Sequence, residues 1–430
     1  MQTQVIQQPI TSAATAIDPP AAVRKPYALF ILSFISTVLG GTVSTLMSVY
    51  LPVAVRDIIG NVTAERLNNI SAYINAVFIL GWAFGGFTWG VISDSAGRKK
   101  ALLLATACYG IATVLTARMV HWEVIVLCRF ISGFGVGGVL VTSFTFMSEV
   151  WPQRSKAIFI GILSIAIPVG IFSAGLINYI VADWRQGFFI GFVPIAIPLA
   201  GIWLLQESEV WKTCRRERAG ENNQMQTLFA PALRADLLIG SITFGTMLIG
   251  LWAIFSWLPT WVQSLITAGD AQKERGLSMM LLGIGGLSGG FVSGWFANAL
   301  GLRKAMICCF AACSLLSFVL FKTNAFFSTV IYVEIGLLAL FFGASQGVLS
   351  AFIPQLFPTS IRASATGFCF NIGRLFTAAA VLSVGVLVTT LGGYGNALFI
   401  FSLVFVLGLF VMLIMKPNTP TPEGASSDAS

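Results

Sequence analysis

Runs of about twenty apolar residues recur along the chain with only short polar breaks between them. Twelve can be placed, near 27–50, 71–92, 101–118, 123–146, 157–181, 186–205, 236–262, 277–297, 304–321, 328–352, 364–390 and 394–415. A helix that crosses a bilayer needs roughly 20 mostly apolar residues. Only 10% of the 430 residues are charged and 56% are hydrophobic, against about 25% charged in a soluble domain. The solvent for most of this chain is therefore lipid, and the fold class is an all-α membrane protein. Thirty-five Phe, eleven Trp and 43 Gly suit a lipid-facing surface over closely packed helices.

The net charge of +8 does not point to nucleic acid, because the basic residues lie in the breaks and alternate between two sides. Arg24, Lys25, Arg98, Lys99, Lys100, Arg154, Lys156, Lys212, Arg215, Arg216, Arg218, Arg234, Arg303, Lys304, Arg362 and Lys416 fall on one side. Arg56, Arg66, Arg118, Arg185, Lys273, Arg275 and Lys322 fall on the other. The richer side is expected to be cytoplasmic, which puts both termini there and requires an even number of spans. Residues 1–23 have no apolar core, so no cleavable signal peptide is expected.

The longest internal break, 206–235, separates six spans from six. The expected organisation is a cytoplasmic tail over 1–26, a bundle over 27–205, a loop over 206–235, a second bundle over 236–415 and a disordered tail over 416–430. The halves repeat. Gly90, Asp94, Gly97 and Arg98 follow the second span; Gly294, Asn298, Gly301 and Arg303 follow the eighth, with the glycines offset by 204 residues. Glu149, Pro152, Arg154 and Gly161 follow the fourth span. Gln355, Pro358, Arg362 and Gly367 follow the tenth, with prolines and glycines offset by 206. Two parallel six-span repeats with a solute site between them make a transporter architecture.

At these residues the chain resembles the major facilitator superfamily. Gly90-Val-Ile-Ser-Asp94-Ser-Ala-Gly97-Arg98-Lys99-Lys100 is similar to its signature loop between the second and third helices. The resemblance implies two pseudo-symmetric six-helix bundles and a cytoplasmic latch, made and broken during alternating access. The latch and gate residues it assigns are Gly90, Asp94, Gly97, Arg98, Asn298, Arg303, Glu149, Arg154 and Arg362. Finer features are similar to the sugar-porter and organic-acid:proton symporter branch: Glu149, Pro152 and Arg154; Phe357-Pro358-Thr-Ser-Ile-Arg362 leading to Gly373-Arg374; Asp183-Trp184-Arg185; and Glu207-Ser208 with Trp211. Sugar porters usually carry paired glutamines in the seventh helix, and 236–262 has none. The organic-acid branch is the better match, although the acids its aromatic-acid carriers hold in the first helix are absent from Val38–Ser44.

A charge near the bilayer centre costs at least ~2.5–3.5 kcal/mol, so it tends to face a cavity or a partner. Arg129, Glu334 and Arg374 lie clearly inside expected spans. Arg374 stands about 11 residues into its span, ~16 Å deep, with Asn371 one turn earlier. A guanidinium at mid-depth suits a carboxylate; it could equally hold backbone carbonyls. Glu334, ~9 Å from the outer face, is the candidate proton carrier, against a fixed salt bridge. The resemblance places the first, fourth, seventh and tenth helices along the cavity. Arg129 could then face Glu334 as a switchable pair, or be a structural arginine followed by Gly133 and Gly137. Ser44, Trp252 and Gln346 are candidate lining, with helix packing as the competing role.

His121 is the only histidine and sits in an outer turn. The seven cysteines match no metal pattern. No nucleophile–base set and no phosphate-binding glycine loop is present, so no enzyme activity and no cofactor is expected. The expectation is a monomeric secondary transporter in a cell (inner or plasma) membrane, partnered by lipid, protons and a small anionic solute. It would couple protons to uptake of a mono- or dicarboxylate or an aromatic acid. The alternatives are a neutral sugar or polyol symporter and a drug-efflux antiporter. Such antiporters favour Gly-Pro in the fifth helix, where this chain has Ile167-Pro168.

Overall fold

The computed structural model describes residues 26–60, 62–217, 231–266, 271–358 and 362–414. Twelve helices are long and apolar enough to cross a membrane, and no strand occurs among the described residues. The first four spans are Pro26–Ile59, Ala64–Ala96, Arg98–Arg118 and Trp122–Val150. The seventh to tenth are Arg234–Ser264, Gln272–Leu300, Leu302–Thr323 and Val330–Gln355. The last two are Arg362–Thr390 and Tyr394–Ile414.

The fifth and sixth spans are broken, each for a reason the sequence carries. The fifth consists of Gln153–Ser164 and Ala166–Ile180. Pro168 has no N–H to give the carbonyl of Ser164 and crowds it, so the helix breaks one residue later. The sixth runs as Trp184–Phe188, a 3₁₀ turn Phe189–Gly191, and Phe192–Leu204; Pro194 acts on Ile190 in the same way. The polar break after it is not wholly irregular. A short helix, Glu209–Glu217, follows the sixth span. The expected 416–430 tail and most of 1–26 lie outside the described residues.

The repeat seen in the sequence is a repeat of contacts. Gly81 and Gly85 of the second span pass so close to the backbone at Phe130 and Phe134 of the fourth that a Cβ would collide with their carbonyls. Gly285 and Gly289, 204 residues on, meet Gly336 and Leu340 of the tenth span in the same way. Small residues let membrane helices approach where no hydrophobic force drives them together.

We call the end carrying Arg98, Lys100, Arg154 and Arg303 the basic end. At the opposite end the two halves are sealed. Tyr394 Oη donates to Asn68 Oδ1 (2.6 Å), Asn75 Nδ2 to the carbonyl of Ser256 (3.3 Å) and Gln272 Nε2 to the carbonyl of Asn178 (2.8 Å). Every residue of 39–52 in the first span and 250–262 in the seventh is buried. Toward the basic end exposure returns, at Ser148, Gly161, Ser164, Ala351 and Gln355.

Candidate transport site

Arg374 stands near the middle of the 29-residue eleventh span. Its Nη1 donates to Oδ1 of Asn371, one turn toward the basic end, at 3.1 Å. Its guanidinium carbon lies 5.7 Å from the centroid of Trp82 on the second span, where the ring face attracts a cation. Among the described residues it forms no ion pair with a carboxylate. A guanidinium carries five N–H donors, so most of this one's hydrogen-bonding capacity is left for a solute.

Aromatic rings form the walls. Trp82 meets Trp252 edge-on at 5.2 Å, Trp252 meets Phe255 at 6.1 Å, and Phe255 meets Phe342 at 5.5 Å. These rings run from the second span through the seventh to the tenth and link the two halves at the level of Arg374. One turn from Phe342 toward the basic end, Gln346 has a buried Nε2 with no hydrogen-bond partner. Gly86 packs against Asn371: a Cβ there would lie 2.9 Å from Oδ1. The candidate residues Arg374 and Asn371 thus lie together near Trp82, which meets Trp252, with Gln346 one turn from Phe342. Sequence reasoning missed Trp82, Gly86, Phe255 and Phe342, although Trp82 sits among Gly81, Gly85 and Gly86, a spacing that announces a close helix crossing.

Ser44 does not join this group. It is buried and donates to the carbonyl of Gly41 in its own helix at 2.7 Å, so its hydroxyl is occupied by packing. The facing pair of Arg129 and Glu334 is not formed either. Arg129 is 1% exposed and donates to the carbonyls of Val43 (3.0 Å) and Ser44 (3.4 Å), with its guanidinium 4.0 Å from the Phe78 centroid. It ties the first, second and fourth spans together within one half. Glu334, half-buried, accepts from Asn324 Nδ2 at 2.7 Å. That partner lies in the connection from the ninth span, so the carboxylate turns toward the periphery of its own half. A further acid was missed at a span boundary: Asp236, 6% exposed, has an Oδ1 without a partner.

The latch residues of the first half do meet. Arg98 Nε donates to Glu149 Oε1 at 3.0 Å and Nη1 to Ser93 Oγ at 3.2 Å, and Nη1 also pairs with Asp94. Glu207 caps the third span, accepting from the backbone N–H of Arg98 (2.9 Å) and Lys99 (3.1 Å), where the helix dipole favours an anion. Gly97, at φ +109°, lies against that carboxylate, and Trp211 Nε1 donates to the carbonyl of Asp94 at 2.8 Å. Gly90 is in loose contact with Val141, and Arg154 is exposed.

The second half has no such network at the equivalent place. Asn298, Leu302 and Gln355 occupy the positions of Asp94, Arg98 and Glu149, and with Ser293 they line a cleft of about 300 Å³. Arg303, expected at the latch, does not line that cleft. Its Nε and Nη2 donate to the carbonyls of Met412 and Leu413, both at 3.0 Å. Its counterpart at the 204 offset, Lys99, gives Nζ to the carbonyl of Ile202 at 2.7 Å. Both are cations at the C-terminal carbonyls of the last span of their half. The Arg362 side chain lies outside the described residues.

The family model described as Major Facilitator Superfamily matches residues 29–375. The chain is similar to the cis,cis-muconate transport protein of Acinetobacter baylyi, with 23% identity over 412 residues covering 92% of this chain and 95% of that protein. It is also similar to the sialic acid transporter NanX of Escherichia coli, with 26% identity covering 79% and 83%. Among solved structures, a D-xylose–proton symporter superposes with a TM-score of 0.77 at 17% identity, covering 92% of this chain and 98% of that one; at that identity the likeness concerns the fold. Twelve spans in two glycine-packed halves, a charged loop after the second span and a family match over most of the length identify this chain as a multi-pass membrane transporter, not an enzyme, of the major facilitator superfamily.

Proposed function

We propose that this transporter takes up a small organic anion, a mono- or dicarboxylate or an aromatic acid, by alternating access, and couples the uptake to protons. The observation that carries the anion reading is Arg374: a guanidinium at mid-depth, walled by aromatic rings, whose protein partners are a neutral amide and a ring face. A carboxylate supplies the acceptors it lacks, and its bidentate fork matches that group. The relatives named for muconate and sialic acid support an acidic solute. The basic end is the cytoplasmic one in this reading, and the protein acts as a monomer in the cell membrane.

Proton coupling is supported by simple electrostatics. A negative cell interior opposes accumulation of an anion, and a proton carried with it removes that opposition. Glu334 is the acid assigned to this role, because its partner is the amide of Asn324 rather than a fixed cation. The experiment is uptake into proteoliposomes under an imposed pH gradient. Arg374→Lys keeps the charge but removes the fork, and should weaken solute binding by roughly 10- to 100-fold, about the value of one charge-assisted hydrogen bond. Unchanged affinity would end the anion reading. Glu334→Gln should abolish gradient-driven accumulation and leave solute-for-solute exchange intact; accumulation at the wild-type level removes Glu334 from the mechanism. A neutral sugar is the second reading, and displacement of a bound carboxylate by xylose would favour it.

A further inference from the structure

We infer that the empty carrier presents one uncompensated positive charge to its cavity, so that membrane voltage sets the side to which the empty carrier opens. The inference rests on the reading of Arg374 as the solute site. Arg374 is always protonated, its partners are the Asn371 amide and the Trp82 ring, and it forms no ion pair among the described residues. It also lies at the plane where the halves meet, since Trp82 belongs to one half and Arg374 to the other.

Alternating access moves the electric field rather than the residue. With the basic end open, the cavity reaches Arg374 from that side and the potential drops across the sealed part beyond it. With the opposite end open, the drop lies on the other side of Arg374. The guanidinium therefore passes from one bulk potential toward the other without changing its depth. One full elementary charge in 100 mV corresponds to ~50-fold in the ratio of the two states, and half of the field to ~7-fold. The other buried or embedded charges do not share this position. Arg129 is 1% exposed and enclosed within one half, where it holds first-span carbonyls; Arg275, also 1% exposed, stands in the first turn of its helix at the sealed end and pairs with Gln263. Glu334 lies in the second turn of its helix, close to the sealed end. Asp236 lies in the first turn of its helix, at the basic end. The sign follows: a negative potential at the basic end favours the state open there. A bound monocarboxylate neutralises the site.

The test uses the full chain in proteoliposomes without solute, with potassium gradients and valinomycin setting 100 mV of either sign. Gly294 has nothing within 4 Å of a built Cβ and lines the basic-end cleft, so Gly294→Cys, with the native cysteines replaced, reports opening there. A membrane-impermeant maleimide added outside reads only molecules whose basic end faces out. Making the outside negative should raise the labelled, open fraction relative to zero potential, by ~7- to ~50-fold in the open-to-closed ratio, and making it positive should lower that ratio by as much. Arg374→Gln, or Arg374→Met where Gln does not fold, should remove the dependence, and Arg374→Lys should keep it. A change below ~2-fold in the wild type, or a dependence that survives neutralisation of Arg374, overturns the inference. Voltage dependence together with solute affinity unaffected by Arg374→Lys would instead overturn the anion reading and leave the charge assignment standing.

Discussion

Replacing Gly86 by Ala should loosen the grip on Arg374 without disturbing the fold. The new Cβ would lie 2.9 Å from Oδ1 of Asn371 and 3.7 Å from its Cγ. The first distance is shorter than packed atoms tolerate, but the obstacle is the far end of a side chain, not backbone. Asn371 can therefore swing aside, and what is lost is its 3.1 Å bond to Arg374 Nη1. An arginine that has lost its tether must be ordered by the solute instead. Immobilising one rotamer-rich side chain costs about 0.5–1.5 kcal/mol, which is ~2- to 13-fold in affinity. The assay is equilibrium binding of a radiolabelled carboxylate to purified protein, with thermal unfolding in detergent as the check on folding. Asn371→Ala removes the same tether directly and should cost about as much. In the double variant the two losses should not add, because both act through one bond. Full additivity, or tighter binding in Gly86→Ala, would show that Asn371 does not hold Arg374 for its solute.

The latch allows a ranking. Arg98 and Glu149 have side chains 7% and 15% exposed, whereas that of Asp94 is 53% exposed. Glu149→Gln should lower stability by about 1.5–3 kcal/mol and Asp94→Asn by no more than about 1 kcal/mol; thermal unfolding in detergent that reverses this order contradicts the burial argument. Two glycines give a second contrast. Gly133→Ala drives a methyl into the carbonyl of Phe78 and should cost about 1–3 kcal/mol or more. Gly161→Ala meets nothing within 4 Å and should be neutral or stabilising by up to about 1 kcal/mol. Size-exclusion profiles and unfolding temperatures of the two proteins decide this.

Span positions were legible because the bilayer selects for one property, a long apolar run, that each segment carries alone. The breaks in the fifth and sixth spans were written in Pro168 and Pro194, but a window of hydropathy averages over them. The depth of Arg374 followed from counting residues. Its aromatic surroundings did not, because Trp82, Phe255 and Phe342 come from three spans and any one of them reads equally well as a lipid-facing ring. Arg303 misled for a different reason. It follows Gly301 as Arg98 follows Gly97, yet it stands one residue later, and in a helix one residue is about 100° of rotation. That turn takes its guanidinium from the latch cleft to the end of the twelfth span, which is also where Lys99 points in the first half.

The departures from the repeat divide the work between the halves. In the first half, Asp94, Arg98, Glu149 and Glu207 form a charged knot at the basic end, and the charge inside its membrane core, Arg129, is satisfied by carbonyls and a ring. In the second half, neutral Asn298, Leu302 and Gln355 leave a cleft at the equivalent place, while the charge inside the core, Arg374, has few partners of its own. A charge that is satisfied by its own half has no reason to seek a ligand, and one that is not has every reason. On the proposed reading of Arg374, the second half is the one that senses the solute. One contact between the halves at the level of the site is Trp82, which touches both Arg374 and Trp252. A solute that draws the guanidinium off the Trp82 face alters a contact between the halves with the same movement that binds it, and this links recognition at mid-depth to the closure of a gate a full half-membrane away.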